Sequence, residues 1–140
     1  MPVSYAIDAA RGVVRITIGD DFTAAEAAAL LERLAGDPAL VSGMPQLVDL
    51  TRVTAAPTAT ESENLASALA RLRGRFEGAR CAVIVAHPAM YGAIRQLAAL
   101  AARAGVEVRP FQDRVAADEW LRGAGRRPPN EDASIAERGR

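Results

Sequence analysis

The chain contains no lysine. Its 17 basic residues are therefore all arginine, and 17 acidic residues balance them to a net charge of zero. A surface that binds nucleic acid needs an excess of basic side chains to neutralise phosphates, so this balance argues against a nucleic-acid partner. Coding bias or selection for bidentate ion pairs would each explain the arginine usage, and neither identifies a partner.

Cysteine and histidine occur once each, as Cys81 and His87. A single cysteine excludes an intrachain disulfide, and a cysteine-based metal site would need further ligands that the sequence does not supply. The glycines show no phosphate-binding spacing, so nothing indicates a nucleotide. We therefore predict no cofactor and no metal, and a reducing, cytoplasmic location.

Long apolar runs are also absent. No segment approaches the length that crosses a bilayer, and residues 1–8 lack the basic and then apolar pattern of a secretory signal. Half of the 140 residues are nevertheless hydrophobic, which suits one domain with a sizeable core. We expect a soluble protein without a membrane span.

What is present is a regular alternation of short β-branched runs with alanine- and leucine-rich helical stretches. This pattern predicts a single α/β domain with a mixed, mainly parallel five-stranded sheet, in which an N-terminal hairpin is followed by βα units with about four helices. The predicted strands are 4–8, 13–18, 44–50, 81–86 and 106–111. The predicted domain covers residues 1–122, and residues 123–140, rich in glycine, proline and charge, are predicted to be a flexible tail.

Several local signals refine this prediction. Two Thr-x-x-Glu spacings, at Thr23 and at Thr60, predict capping boxes at the start of the first two helices. The run 81–86 is apolar at every position, so both its faces should be covered, which favours the centre of the sheet. Pro110 places the last strand near an edge, and Asp113 is predicted to cap the last helix.

The same layout resembles a known family. The N-terminal hairpin, the segment Leu47-Val48-Asp49-Leu50-Thr51-Arg52-Val53, the strand 81–86 running into Met90-Tyr91-Gly92, and the ending Phe111-Gln112-Asp113 with Ala117 and Trp120-Leu121 are similar to the SpoIIAA-like proteins. These proteins in turn resemble the STAS domains of anti-sigma-factor antagonists. The likeness covers roughly residues 4–122.

The resemblance implies a right-handed β-α superhelix with sequential strands, shared in outline with the lipid-binding SEC14 domains, and it implies binding rather than catalysis. In STAS antagonists a partner kinase phosphorylates a serine at the start of the second helix. The corresponding stretch here, 55–62, contains Thr58, Thr60 and Ser62 in place of the family's Asp-Ser-Ser-Gly pattern.

The carboxyl ends of parallel strands meet at one edge of a sheet, where ligands and partners usually bind. We call this edge the rim and expect it to contain residues 54–62 and 87–91. Thr58, Thr60 and Ser62 would place hydroxyls at a helix N-terminus, where a phosphate or another anion is stabilised. Helix capping is the simpler explanation of the same residues, since Thr60 with Glu63 already accounts for the pattern and Glu61 and Glu63 would repel an added anion.

His87, at the rim, has the chemistry of a general base or a pH sensor, and it is also explained as a helix cap or a rim side chain. Asp49 could face it across neighbouring strand ends, although an aspartate that caps its own loop is the commoner case. Cys81 and His87 cannot form a nucleophilic pair, because six residues of strand separate them by roughly 20 Å. We predict no catalytic residues and no enzyme activity.

Met90 and Tyr91 combine a flexible thioether with an amphipathic ring, which suits an apolar ligand, although core packing explains Met90 equally well. A lipid-sized cavity would consume much of the core of so small a domain, so a surface groove is expected instead.

Two functions remain open. The first is a STAS-like module that binds an unknown protein partner through the rim, with Thr54, Thr58, Thr60, Ser62, His87, Met90 and Tyr91 as binding residues. The second is a carrier or sensor that binds a small apolar or anionic ligand at the same place. A symmetric homodimer is a further hypothesis, because small α/β domains can cover exposed sheet faces in this way.

Overall fold

Five strands lie side by side in the order in which they occur along the chain. The computed structural model describes residues 3–123. Its elements are β1 (Val3–Asp8), β2 (Val13–Ile18), α1 (Ala24–Ala35), β3 (Gln46–Asp49), α2 (Ala59–Arg71), α3 (Arg73–Phe76), β4 (Arg80–Ile84), α4 (Pro88–Ala102), β5 (Glu107–Phe111) and α5 (Arg114–Gly123). The predicted α/β class is confirmed, whereas the predicted tail falls almost entirely on residues 124–140, outside the described part.

β1 and β2 form the predicted antiparallel hairpin, and every later pairing is parallel. The hairpin turn uses Gly12 at a positive φ of 67°, a backbone conformation that suits glycine. The prediction that residues 81–86 form the central strand was wrong: β3 is central, and β4 lies between β3 and β5. The apolar run in β4 instead reflects helices packed on both of its faces. β5 is an edge strand, as Pro110 predicted.

The helices form two unequal layers. α1, α2 and α4 cover one face of the sheet, and α5 covers the other. Because successive strand residues point to opposite faces, Gln46 and Val48 of β3 face the larger layer, while Leu47 and Asp49 face α5. We call the two sides the three-helix face and the α5 face.

α1 begins as predicted, with a capping box in which the Thr23 hydroxyl accepts from the Glu26 N–H at 3.1 Å. α2 begins two residues earlier than predicted. Its capping box pairs Thr58 with Glu61, whose carboxylate accepts from the Thr58 N–H at 2.9 Å, so the prediction of Thr60 as the cap was wrong. Thr58 begins an equivalent Thr-x-x-Glu spacing directly after Pro57, and the helix starts at the first of the two.

α4 begins at Pro88, where the missing N–H costs no helical hydrogen bond. α5 follows Asp113, whose carboxylate accepts from the Val115 N–H at 3.0 Å, as expected of its cap. Within residues 3–123, no helix combines the length and the apolar character that a bilayer crossing requires.

Candidate functional site

An apolar cavity of about 240 Å³ lies between the sheet and the three-helix layer. Sheet residues such as Ile16 and Val48 form one wall, and helix residues such as Leu30, Leu69 and Ile94 form the other. The space is partly enclosed and reaches deeper between the layers than the surface groove that the sequence predicted. Short side chains explain the space, since α1 presents only Ala27 at one of its buried positions against it.

The cavity runs along the direction of the strands. Its exposed lining residues are Asp20, Ala55 and Ala56, which belong to the loops after β2 and β3, so it opens at the rim. At the opposite end of the strands the lining includes Gln46 and Cys81, both buried. A ligand would therefore enter between the two loops and extend below the helices.

The two charged residues in this lining, Asp20 and Glu61, are both acidic. Both carboxylates already accept hydrogen bonds. Asp20 accepts from the N–H and the hydroxyl of Thr54, at 3.3 and 3.2 Å, and Glu61 accepts from the Thr58 N–H in the capping box of its own helix. An anionic ligand would meet negative charge here and no arginine among the lining residues. The site accordingly disfavours anions.

Gln46 is the polar residue in the buried part of the lining. It is 4% exposed, and its carboxamide nitrogen has no hydrogen-bond partner. On the sheet it is paired with Val14 of β2, which is apolar, and with Cys81 of β4, whose thiol is only weakly polar. Sequence reasoning missed this residue. The available signal was its position two residues before Val48, in phase with the inward face of a strand.

Cys81 contributes a thiol to the same wall. Burial raises the pKa of this thiol to about 12, because ionisation inside an apolar environment is unfavourable. The sulfur is therefore a neutral, weakly polar wall group and a poor nucleophile at physiological pH.

The rim residues come together in part. β3 and β4 are adjacent and parallel, and α2 packs against α4, so the first turns of these two helices lie next to each other. Thr54, Thr58, Thr60 and His87 are exposed at this edge. The structure thus gathers four of the seven predicted binding residues on one accessible surface.

The other three predicted binding residues are buried or half-buried. Ser62 is 5% exposed, in the second turn of α2, because its side of the helix faces the core. Met90 is 1% exposed and lines the cavity, so it contacts any occupant from inside. Tyr91 is half-buried, and the guanidinium of Arg95 lies 5.8 Å from its ring centroid.

Among the described residues, no hydrogen bond or ion pair joins Asp49 to His87. Asp49 accepts hydrogen bonds from the N–H and the hydroxyl of Thr51, at 2.9 and 2.6 Å, as an aspartate that caps its own loop. Partial burial would raise the pKa of this carboxyl, but the Thr51 bonds, helped by Arg114 and Arg52, outweigh it and lower the pKa. His87 occupies the N-cap position of α4 without a side-chain capping bond.

Across residues 3–123, the structure brings together no group of three or more histidine, cysteine, aspartate or glutamate side chains that could hold a metal ion. Comparison with family models, with curated proteins and with solved structures finds no match to this chain. The resemblance to SpoIIAA-like proteins therefore stays a prediction.

Proposed function

We propose that this chain is a non-catalytic domain that binds a small, uncharged, largely apolar molecule inside the cavity of the three-helix face. The observation that carries the proposal is an apolar space of about 240 Å³ that opens at the rim. An engineered apolar cavity of about 150 Å³ in another protein binds benzene. By proportion, this cavity suits a molecule of roughly ten non-hydrogen atoms.

The electrostatics favour the apolar ligand over the anionic one. Asp20 and Glu61 stand in the lining and already accept hydrogen bonds from the backbone. An anion would have to enter past both carboxylates and lose its hydration without gaining a cationic partner. An uncharged molecule meets neither cost.

The chemistry of the single cysteine and the single histidine supports a non-catalytic role. The Cys81 thiol is protonated because burial raises its pKa. His87 is exposed at the start of α4, away from the buried lining. Neither side chain offers an activated nucleophile or base to a molecule inside the cavity.

Protein recognition at the rim is a second candidate, and it is compatible with ligand binding. The cavity opens between loops that also present Thr54, Thr58 and the exposed Ala55 and Ala56. A partner that docks there would contact the residues around the opening, and so could sense whether the cavity is filled. The sequential strand order supports the proposal of a SpoIIAA-like superhelix, in which such a module would act as a regulator.

A binding experiment with p-xylene tests the ligand proposal. Titration of protein carrying ¹³C-labelled methionine methyls should shift the Met90 signal, because Met90 lines the cavity. Ala27→Leu fills part of the space and should weaken binding by about tenfold or more. Ala29→Leu makes the same change on the exposed side of α1 and serves as the control, with unchanged affinity.

Equal affinity of p-xylene for the wild type and for Ala27→Leu would show that it binds elsewhere and would overturn the proposal. Absence of any Met90 shift at saturating p-xylene would do the same. If binding is as expected, native mass spectrometry of the protein purified from its host should show a retained mass, and extraction then identifies the natural occupant.

A further inference from the structure

We propose that Gln46 selects the ligand: the occupant of the cavity carries an uncharged hydrogen-bond acceptor, such as a carbonyl oxygen, which accepts from the Gln46 carboxamide nitrogen. This inference rests on the proposed function and names the chemical class that the cavity takes. It applies to ligands with a single polar end and an apolar remainder.

The buried amide nitrogen of Gln46 lacks a hydrogen-bond partner. Gln46 is buried and lines the cavity, yet its carboxamide nitrogen donates no hydrogen bond. A buried donor without an acceptor is unfavourable, and a ligand that supplies the acceptor recovers that cost on binding. The amide therefore contributes affinity only for molecules that carry an acceptor.

The cavity wall around Gln46 is almost entirely apolar. The paired neighbours Val14 and Cys81 and the next inward residue of the same strand, Val48, supply no strong competing acceptor from their side chains. The carboxylates of Asp20 and Glu61 accept hydrogen bonds from the loops at the opening. Gln46 is thus the polar group available to an occupant in the buried part of the cavity.

The position of Gln46 in the cavity fixes the orientation of a ligand that bonds to it. Gln46 is the first residue of β3, whereas the opening lies beyond the last residues of β2 and β3. A molecule that reaches Gln46 enters with its acceptor first, and its apolar part stays between the sheet and the three-helix layer. Charged acceptors are excluded, because a carboxylate at this depth would be buried without a cation.

Two nearly isosteric probes separate the hydrogen bond from simple burial. Acetophenone carries a carbonyl oxygen, and α-methylstyrene has the same shape with a methylene group in that position. Dissociation constants of both are measured for the wild type and for Gln46→Leu. For each protein we take the ratio of the two dissociation constants. Comparing this ratio between the wild type and the variant cancels the different solubility of the two probes in water. We expect the preference for acetophenone to fall by about tenfold in the variant.

Infrared spectroscopy supplies an independent readout. The carbonyl stretch of bound acetophenone should lie at lower frequency in the wild type than in Gln46→Leu, because only the wild type donates to the oxygen. Thermal unfolding of the ligand-free proteins checks the fold, and Gln46→Met, which keeps the unbranched chain, replaces Gln46→Leu in both measurements if the leucine variant does not fold.

The outcomes separate the two proposals. If both probes bind and their preference and the carbonyl frequency are unchanged in the variant, Gln46 does not select the ligand, while the proposed function stands. If neither probe binds the wild type, both proposals are overturned. A preference that falls together with an upward shift of the carbonyl frequency supports the role of Gln46.

Discussion

The two faces of the sheet are built differently, and the difference explains where a site can form. On the α5 face, Leu47, Ala82 and Ile84 pack directly against a single helix through Ala117 and Leu121. On the three-helix face, a layer of three longer helices spans all five strands and leaves an apolar space between layer and sheet. One helix can settle onto the strands it covers, whereas three helices also have to pack against one another.

Aromatic and cationic groups close the α5 face at its edge. The rings of Phe111 and Trp120 lie 5.6 Å apart, and Arg80 and Arg109 approach the Trp120 ring to 5.0 and 4.9 Å. Arg80 also pairs with Glu107 at 3.3 Å. This side is therefore held by side-chain stacking, while the opposite side reaches the solvent through the loops around its cavity.

Matched truncations test whether the two faces differ in packing. Ile84→Ala on the α5 face should lower the free energy of unfolding by roughly 2–5 kcal/mol. Ile16→Ala on the three-helix face should cost less, because Ile16 borders the cavity and has fewer contacts to lose. Urea unfolding measures both losses of stability. An equal or larger loss for Ile16→Ala would contradict the closer packing of the α5 face.

The start of α2 offers a second comparison. Thr58→Ala should cost about 1 kcal/mol of stability, since it removes the hydroxyl of the capping box, while Thr60→Ala should cost a few tenths. The Glu61 carboxylate that lines the cavity accepts from the backbone N–H of residue 58, which alanine retains, so both variants should leave p-xylene binding unchanged. A larger stability loss for Thr60→Ala than for Thr58→Ala in thermal unfolding would identify Thr60 as the cap.

Titratable groups on the two faces should respond to pH in opposite directions. The folded pKa of Cys81 is raised, so stability falls as pH rises above its ordinary value of 9.0, and Cys81→Ala removes that part of the dependence. The folded pKa of Asp49 is lowered, so its stabilising contribution is lost as pH falls through that lowered pKa, and Asp49→Asn removes it. Unfolding curves at several pH values measure both, and parallel curves for the wild type and either variant would contradict that half of the prediction.

Much of the fold was predictable because local signals were strong. The alternation in residues 13–18 predicted β2 to the residue, and Pro110 correctly predicted an edge strand. Errors arose where two equivalent signals competed, as with Thr58 and Thr60, or where burial on both faces was equated with a central strand, as in β4. In each case tertiary packing decided between locally equal alternatives.

The cavity was not predictable in the same way. A buried alanine such as Ala27 has the same sequence signature whether its neighbours close over it or leave space, because the gap depends on how far the helices stand from the sheet. Gln46 was accessible to sequence reasoning, since a polar residue in phase with the inward positions of a strand is unusual. Phase alone, however, does not show whether its amide finds a partner.

The proline of β5 has a consequence beyond its place at the edge. The N–H of Glu107 bonds to the carbonyl of Ala79, so the backbone of Glu107 points toward β4. Successive residues of a strand point their backbone groups to alternate sides, and Pro110, three residues later, therefore points to the free side. Proline supplies no N–H donor at that point, so a strand from another molecule that paired with β5 would lack one backbone hydrogen bond there. The free border of β5 is thereby protected against intermolecular β-pairing and the aggregation that follows from it.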